Sequence, residues 1–500
     1  MCGAARARDV AFPVTSAGCC GTPARVADPF DSPDLVIHAV LPVLIVVGVL
    51  LRKAALPEGV VGLLQQLTYL GLYAAMVLVL VRIRGRAANP RVAAVLAVVA
   101  VLLATWIALH PGRGFAVALA RGDHLLCAGF AGAAFRHLPV HLRTRVLVAV
   151  SLGTLVLLAG PLPLALVLVG MASGVAAERV AAPSSVRRAV IVQAALMLAT
   201  LAACRYVWLL NPRLGLGAQG LFAVMLLRHV SWLIDVRRGA GGGLLDYWCF
   251  QLFYPCCYGA TERYADFRSR NAVPGAVVDD PALFRLAMLG TVYLWASMRI
   301  DYGLEDLLAA PRWRDLVGVY FMVFVHGALA LMGLWAILQA LALAWGMRIH
   351  PNFAGILAAR SPSQFWHAWR GTMTSWLIEY VYIPLGGNRA NQVRNVFVVF
   401  AVSAAWHWMG VPFVQYRLRL ADFAPIGAWA LVNAVVLAAA GLWRRHGWRL
   451  WPEATPHPVR TGSAHLATWA FGGVTVMFLG FQGPLVQRFP EFLRRLAGLQ

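Results

Sequence analysis

The chain has 500 residues, of which 60% are hydrophobic and only 13% charged. A soluble domain carries about 25% charged residues, and the mean hydropathy of +0.69 points the same way, so a soluble globular protein is excluded and a polytopic integral membrane protein is expected. The net charge of +22 is almost wholly arginine, with a single lysine, Lys53. These arginines are scattered in small groups at the ends of apolar runs, such as Arg82/Arg84/Arg86, Arg187/Arg188, Arg237/Arg238 and Arg444/Arg445. That placement fits membrane flanks and anionic head groups, not the clustered basic face of a nucleic-acid binder. Arginine in place of lysine, with abundant Ala, Val, Leu and Gly, suggests a GC-rich bacterial gene. The eight cysteines include two vicinal pairs and no C-x-x-C, so no metal site is expected.

Residues 1–34 are polar and bear Pro and Gly, which reads as a disordered tail. No apolar leader precedes Asp34, so no cleaved signal peptide is expected. Apolar runs long enough to span a bilayer follow in series: Leu35–Leu51, Val61–Val81, Val92–Leu109, Val146–Leu158, Leu162–Ala177 and Ala189–Leu210, with His124–Phe135 as a half-span. This N-terminal transmembrane bundle, residues 35–213, is mostly Ala, Val and Leu and reads as scaffold.

The character changes after Asn211-Pro212. From Leu214 the spans carry more His, Trp, Tyr, Arg and Asp, through Leu214–Val236, Leu244–Tyr258, Leu283–Met298 and Leu316–Trp345. The last is long enough for one tilted span or two half-spans. A loop, Arg348–Pro362, leads into Phe365–Tyr382, which is too polar for lipid contact and is expected inside protein. Val393–Val414 then places Trp406-His407 deep in an apolar run. An ionisable group at that depth is costly, and such groups mark functional sites. This segment, residues 214–415, is the candidate catalytic core. Residues 416–500 add two closing spans, Ile426–Trp443 and His465–Gly483. The expected fold is all-α, with about 10 to 13 membrane helices around a central chamber.

The polar-aromatic segment reads Phe365-Trp-His-Ala-Trp-Arg-Gly-Thr-Met-Thr-Ser-Trp-Leu-Ile-Glu-Tyr-Val-Tyr-Ile-Pro-Leu-Gly-Gly-Asn-Arg389, followed by Asn395 and Ala405-Trp406-His407. Upstream stand Met347-Arg-Ile-His-Pro-Asn-Phe353, Leu233-Ile-Asp-Val-Arg237, Leu244-Leu-Asp-Tyr247, Phe253-Tyr-Pro255 and Gly259-Ala-Thr-Glu-Arg-Tyr264. In this order the motifs resemble the membrane-bound O-acyltransferase family, in its bacterial alginate-acetylase-like branch, over roughly residues 214 to 410. Three positions depart from that pattern. Arg370 stands where the family has a histidine, Trp408 follows the W-H histidine in place of a small residue, and Phe321-Met-Val-Phe-Val-His326 lacks the family's acidic residues.

The resemblance implies transfer of an acyl group, acetyl by the polysaccharide-modifying branch, from a thioester such as acetyl-CoA or an acyl carrier. No bound cofactor is expected. The acceptor is a hydroxyl, of a glycan by resemblance, and the site lies in the bacterial inner membrane with a periplasmic or membrane partner protein open. His407 is the candidate general base, because a neutral imidazole can take a hydroxyl proton. Arg370 is permanently charged and cannot be a base; it suits an anionic substrate group or the oxyanion. His367, three residues earlier, is expected on the same helical face and could replace the missing histidine. Trp366, Trp369, Asn388, Arg389, Asn395 and Trp406 are the candidate substrate contacts. The bland readings are packing for the tryptophans, a turn for Pro384–Gly387, loop orientation for the asparagines, an ion pair of Arg370 with Glu379 or Asp301, and a local Glu262–Arg263 pair. Ser403, at i−4 from His407, is the nearest candidate nucleophile for a covalent route. A transporter of an acyl donor or glycan precursor, a lipid or protein acyltransferase, and a non-catalytic envelope subunit remain as other readings.

Overall fold

The computed structural model describes residues 57–109, 122–159, 161–181, 212–257, 261–300, 313–353, 359–410, 423–445, 458–478 and 487–496, with a few isolated positions besides. The expected tail 1–34 and the apolar run Leu35–Leu51 lie outside the described residues, as does nearly all of Ala189–Leu210. The described chain is helical and, among the described residues, holds no strand. In chain order the helices are α1 (Pro57–Arg86), α2 (Pro90–Leu109), α3 (Gly122–Phe135), α4 (Val140–Ala159), α5 (Pro161–Ala181) and α6 (Pro212–Asp235). Then follow α7 (Leu244–Leu252), α8 (Tyr264–Arg270), α9 (Asp280–Arg299), α10 (Trp313–Ala344), α11 (Pro362–Ala368) and α12 (Gly371–Leu377). The chain closes with α13 (Gln392–Gly410), α14 (Phe423–Arg445), α15 (Pro458–Phe478) and α16 (Phe489–Leu496).

Among the described residues, five helices hold stretches long and apolar enough to cross a membrane: Leu67–Arg86, Pro90–Leu109, Val140–Leu157, Phe321–Ala344 and Phe423–Leu442. In lipid the backbone must satisfy its own hydrogen bonds, and helices do so internally. The protein is thus an all-α, polytopic membrane protein. The long apolar run around Leu316–Trp345 is one continuous helix, α10, and not two half-spans. It packs along α9 and reaches α3 and α15, which makes it the central post of the molecule.

Local sequence explains the helix starts. Asp279 caps α9 by accepting from the Ala282 amide at 3.1 Å, with Pro281 in the first turn. Ser361 caps α11 by accepting from the Gln364 amide at 3.3 Å, and the Gln364 side chain reaches back to the Arg360 amide at 2.8 Å. Both are exchanges of side-chain for missing backbone partners at a helix start.

The compositional boundary near residue 213 is not a packing boundary. One hydrophobic core joins Val77 and Leu80 of α1, Leu125 of α3 and Leu155 of α4 to Met225, Tyr247 and Leu338 beyond the boundary. The joint is sealed by Arg84, whose side chain is fully buried. It pairs with Asp280 at 3.0 Å and donates to the Gly129 and Ala344 carbonyls at 2.8 and 2.9 Å. The Ala344 carbonyl ends α10, where no helical amide is left to serve it. Gly132 is required at the same joint, since a β-carbon there would lie 1.9 Å from the Ala344 oxygen.

The ends of α1, α6 and α10 and the starts of α9 and α13 gather at one face of the molecule. Asn271 and Asp279 meet Arg348, at 2.7 and 2.8 Å, and Arg238 meets Glu379 at 2.7 Å. Arg84, Arg238, Arg263, Arg270 and Arg348 form ion pairs here, and Arg143 and Arg394 donate to the Pro274 and Leu385 carbonyls. The expected local pair of Glu262 with Arg263 is not formed. Glu262 pairs with Arg270 and also accepts from the His350 amide at 3.0 Å, while Arg263 reaches Asp266 and Glu379. Asp266 is in the first turn of α8 and Glu379 in the π-turn after α12, so the carboxylate adjacent in sequence is not the one that pairs. In this loop, burial and the neighbouring Arg270 push His350 down to about 4, against the opposing hydrogen bond to the Pro351 carbonyl.

Candidate active site

The segment 361–389 does not form one helix. Alpha11 ends at Ala368, Trp369 is extended, and Arg370 takes a left-handed conformation with φ 50°. Helix α12 then restarts, and its last turn widens into a π-turn over Ile378–Tyr382. A left-handed arginine is costly, by about 1–2 kcal/mol, and persists only where surroundings hold it. The holder is Asn352, a buried residue of the loop before α11. Its carbonyl accepts from the Gly371 amide at 2.8 Å, and its side-chain oxygen accepts from the Thr372 amide at 3.2 Å and hydroxyl at 2.8 Å. Asn352 thereby caps α12 from another part of the chain.

This break corrects the expectation that His367 and Arg370 share a helical face. They stand on two different elements, and the break turns both toward one cavity of about 100 Å³. His367, Arg370 and His407 line it together, with Trp366, Trp369, Ser403 and Trp429. Apart from its histidines, arginine and hydroxyls the wall is apolar, including Met373, Val399, Phe400 and Leu437. Among the described lining residues there is no carboxylate.

The hydrogen bonds assign the tautomers. His407 Nδ1 lies 2.7 Å from the Ser403 carbonyl, one turn back on α13, and His367 Nδ1 lies 2.8 Å from the Ser363 carbonyl. A carbonyl can only accept, so in the neutral ring Nδ1 carries the hydrogen and Nε2 keeps the lone pair. Ser403 Oγ is 3.4 Å from the same Nδ1. That nitrogen is protonated and engaged, so it cannot take the Ser403 proton, and the arrangement disfavours an activated serine nucleophile. The His407 ring is held between the Trp406 ring, perpendicular at 5.0 Å, and the Trp429 ring, also at 5.0 Å.

The remaining sequence candidates fall elsewhere. Trp406 packs with Leu227, Met373, Trp376 and Leu377, outside the cavity lining. Asn395 is fully buried and gives its amide to the Gly387 and Ala390 carbonyls at 2.8 and 2.6 Å, holding the Pro384–Arg389 turn to the start of α13. Asn388 accepts from the Tyr382 hydroxyl at 2.6 Å in the same turn. Arg389 is exposed there. None of the three lines the cavity. Glu379 is engaged by Arg238 and Arg263, at 2.7 and 3.4 Å, in place of the expected ion pair with Arg370; Asp301 lies outside the described residues. Among the described residues, no three His, Cys, Asp or Glu side chains come together as metal ligands.

Sequence reasoning missed Trp429 and Asn433 of α14, and Asn352. Asn433 is buried and accepts from the Trp366 indole at 2.7 Å, while its amide returns to the Trp429 carbonyl at 2.8 Å. This fixes a cavity tryptophan from a helix far along the chain. An asparagine inside the apolar run Ile426–Trp443 was the one available signal, since buried polar groups in membrane helices find partners.

Residues 186–416 match the model of the MBOAT, membrane-bound O-acyltransferase family. The probable alginate O-acetylase of Pseudomonas syringae pv. tomato is 25% identical over 236 residues, covering 43% of this chain and 42% of that protein. The probable alginate O-acetylase of Pseudomonas aeruginosa is 24% identical over 204 residues, 37% of this chain and 38% of that protein. The peptidoglycan O-acetyltransferase of Helicobacter pylori is 35% identical over 81 residues, 16% of this chain and 15% of that protein. The chain thus spans less than half the length of these curated relatives. The family match takes in His367, Arg370 and His407 of the cavity: residues 186–416 match the membrane-bound O-acyltransferase family, and the chain is similar to that family's alginate O-acetylases.

Proposed function

We propose that the protein is an O-acyltransferase of the bacterial inner membrane. It moves an acyl group, acetyl by its similarity to the alginate O-acetylases, from a thioester to a hydroxyl of a cell-envelope or exported polysaccharide. The observation that carries this reading is one cavity, lined mostly by the matched domain and closed by Trp429 and Leu437 of α14, that unites His407, His367 and Arg370.

In this reading His407 Nε2 takes the acceptor proton as the hydroxyl oxygen attacks the thioester carbonyl. The carbonyl π electrons move to oxygen, and the Arg370 guanidinium stabilises that oxyanion. Collapse expels the thiolate, which takes the proton back from His407. The ester and the free thiol leave, and the histidine is neutral again. Direct transfer is favoured over an acyl-enzyme because of the Ser403 geometry above.

The test is thiol release from acetyl- and palmitoyl-thioesters by the purified chain, with cell-envelope polysaccharide as acceptor. Acceptor-dependent release from the acetyl donor is expected, lowered by about 10²–10⁴ in a correctly folded His407→Ala. Full activity in that variant removes His407 from the role. Flux of substrate across proteoliposomes without acyl consumption would point to a transporter.

A further inference from the structure

A second cavity lies outside the candidate active site and outside the matched domain for most of its wall. It measures about 540 Å³ and is a slot between α2 and α4, floored by α3. Its walls are mostly small and apolar, with Ala93, Ala97 and Ala100 on one side and Val146 and Val150 on the other, and His124 and Thr154 are polar side chains among them. Tyr254 and Trp345 of the core, joined at 3.0 Å, close its inner end.

Two observations say what fills it. The first is depth. Both walls are spans, Pro90–Leu109 and Val140–Leu157, and the lining residues Val101 and Leu157 are 65% and 51% exposed. The slot therefore opens sideways onto bilayer hydrocarbon, and an empty apolar slot there would forfeit dispersion contacts along its whole wall. From Val146 to Leu157 it runs about 16 Å at 1.5 Å per residue. That is about half the 30 Å hydrocarbon thickness, the reach of one acyl chain in one leaflet. The second is charge at one end. There the lining residues Pro90 and Val146 adjoin Arg91 and Arg145, both exposed, with exposed His137 in the wall between.

We infer that this slot is a binding site for an anionic phospholipid. One acyl chain lies between α2 and α4, and the phosphate sits against Arg91 and Arg145. The site is independent of the acyl-transfer reading. Its lipid holds the N-terminal bundle against the Tyr254–Trp345 end of the core.

The experiment uses the full chain in nanodiscs with trace diazirine-acyl phosphatidylglycerol or phosphatidylcholine, followed by peptide mapping. Labelling concentrated on residues 90–107 and 146–157 is expected, with phosphatidylglycerol favoured. Arg91→Gln and Arg145→Gln should each lower that preference by about fivefold while leaving the folded chain intact. Ala97→Phe should remove label from the slot and leave label on other lipid-facing helices unchanged. Label spread evenly over the apolar surface, equal labelling by both head groups, or a slot cross-linked to a second copy or to another segment of this chain overturns the proposal.

Discussion

Helices α2 and α10 are both apolar enough to span a bilayer, yet 22% of the α2 span is buried inside the protein against 56% of the α10 span. Alpha2 faces lipid along Val95, Val98, Leu102 and Trp106, which are more than half exposed. Alpha10 is surrounded by α9, α3 and α15 and buries Trp335, Ile337, Leu338 and Leu341. Hydropathy is the same kind of signal in both, because lipid and protein interior are equally apolar solvents for a side chain. What separates scaffold from working interior is polar content on neighbouring elements. Beside α10, Phe324 and Leu329 share a core with Phe365 and Trp369 of the broken segment, which carries His367 and Arg370 to the cavity.

This contrast predicts unequal responses to substitution. The largest effect is expected within the cavity, where His407→Ala lowers acyl transfer by about 10²–10⁴ without loss of folded protein. Nearly as large, but on stability, is the joint between the two regions. Arg84→Ala leaves Asp280 and two buried carbonyls without their partner and should cost about 3–5 kcal/mol, read as a loss of monodisperse protein and a lower unfolding temperature in detergent. A wild-type unfolding temperature there would show that the bundle and core are held by apolar packing alone.

Arg370→Gly sharpens the comparison because its two effects have opposite signs. Glycine adopts the left-handed backbone freely, so stability should rise by about 1 kcal/mol, while transfer falls through loss of the guanidinium. Arg370→Ala keeps the strained backbone and should lose activity with no gain in stability. A stabilised and fully active glycine variant would mean that the arginine is there for neither charge nor chemistry.

A smaller effect is expected at the loop ahead of α11. The folded value of His350 is depressed to about 4, below the ordinary value of about 6.5. Its contribution is therefore fully present above pH 6.5 and is lost as pH falls toward 4, since the unfolded chain binds the proton first. His350→Gln should flatten the unfolding temperature across that window, and an unchanged acid slope would assign the sensitivity to another group. On the lipid face of α2, Val98→Leu should change stability by less than about 0.5 kcal/mol. A larger loss there would mean that this face is covered in the membrane.

The break at Trp369–Arg370 shows where linear reading fails. His367 and Arg370 are three residues apart, and helical periodicity puts them on one face; they converge on the cavity only because the helix ends between them. Its cause, Asn352, is distant in sequence and acts through a cap whose partners are backbone amides, which leave no residue-type signature. Trp429 is equally hidden, since a tryptophan in an apolar run reads as packing or interface until a neighbouring helix brings it to a histidine.

Composition, at 60% hydrophobic residues, determined that this chain lives in a membrane, and its long continuous apolar runs determined that it is helical there, because a barrel strand would alternate apolar and polar residues. The order of motifs from Leu233 to His407 determined the family, and the cost of burying an imidazole marked His407. Only the tertiary structure decided that His367 and Arg370 join His407 while Trp406, Asn388, Arg389 and Asn395 serve packing and the turn. The physical reason is that type and spacing set which face of one element a residue occupies, whereas a cavity is made by the capping, breaking and docking of several.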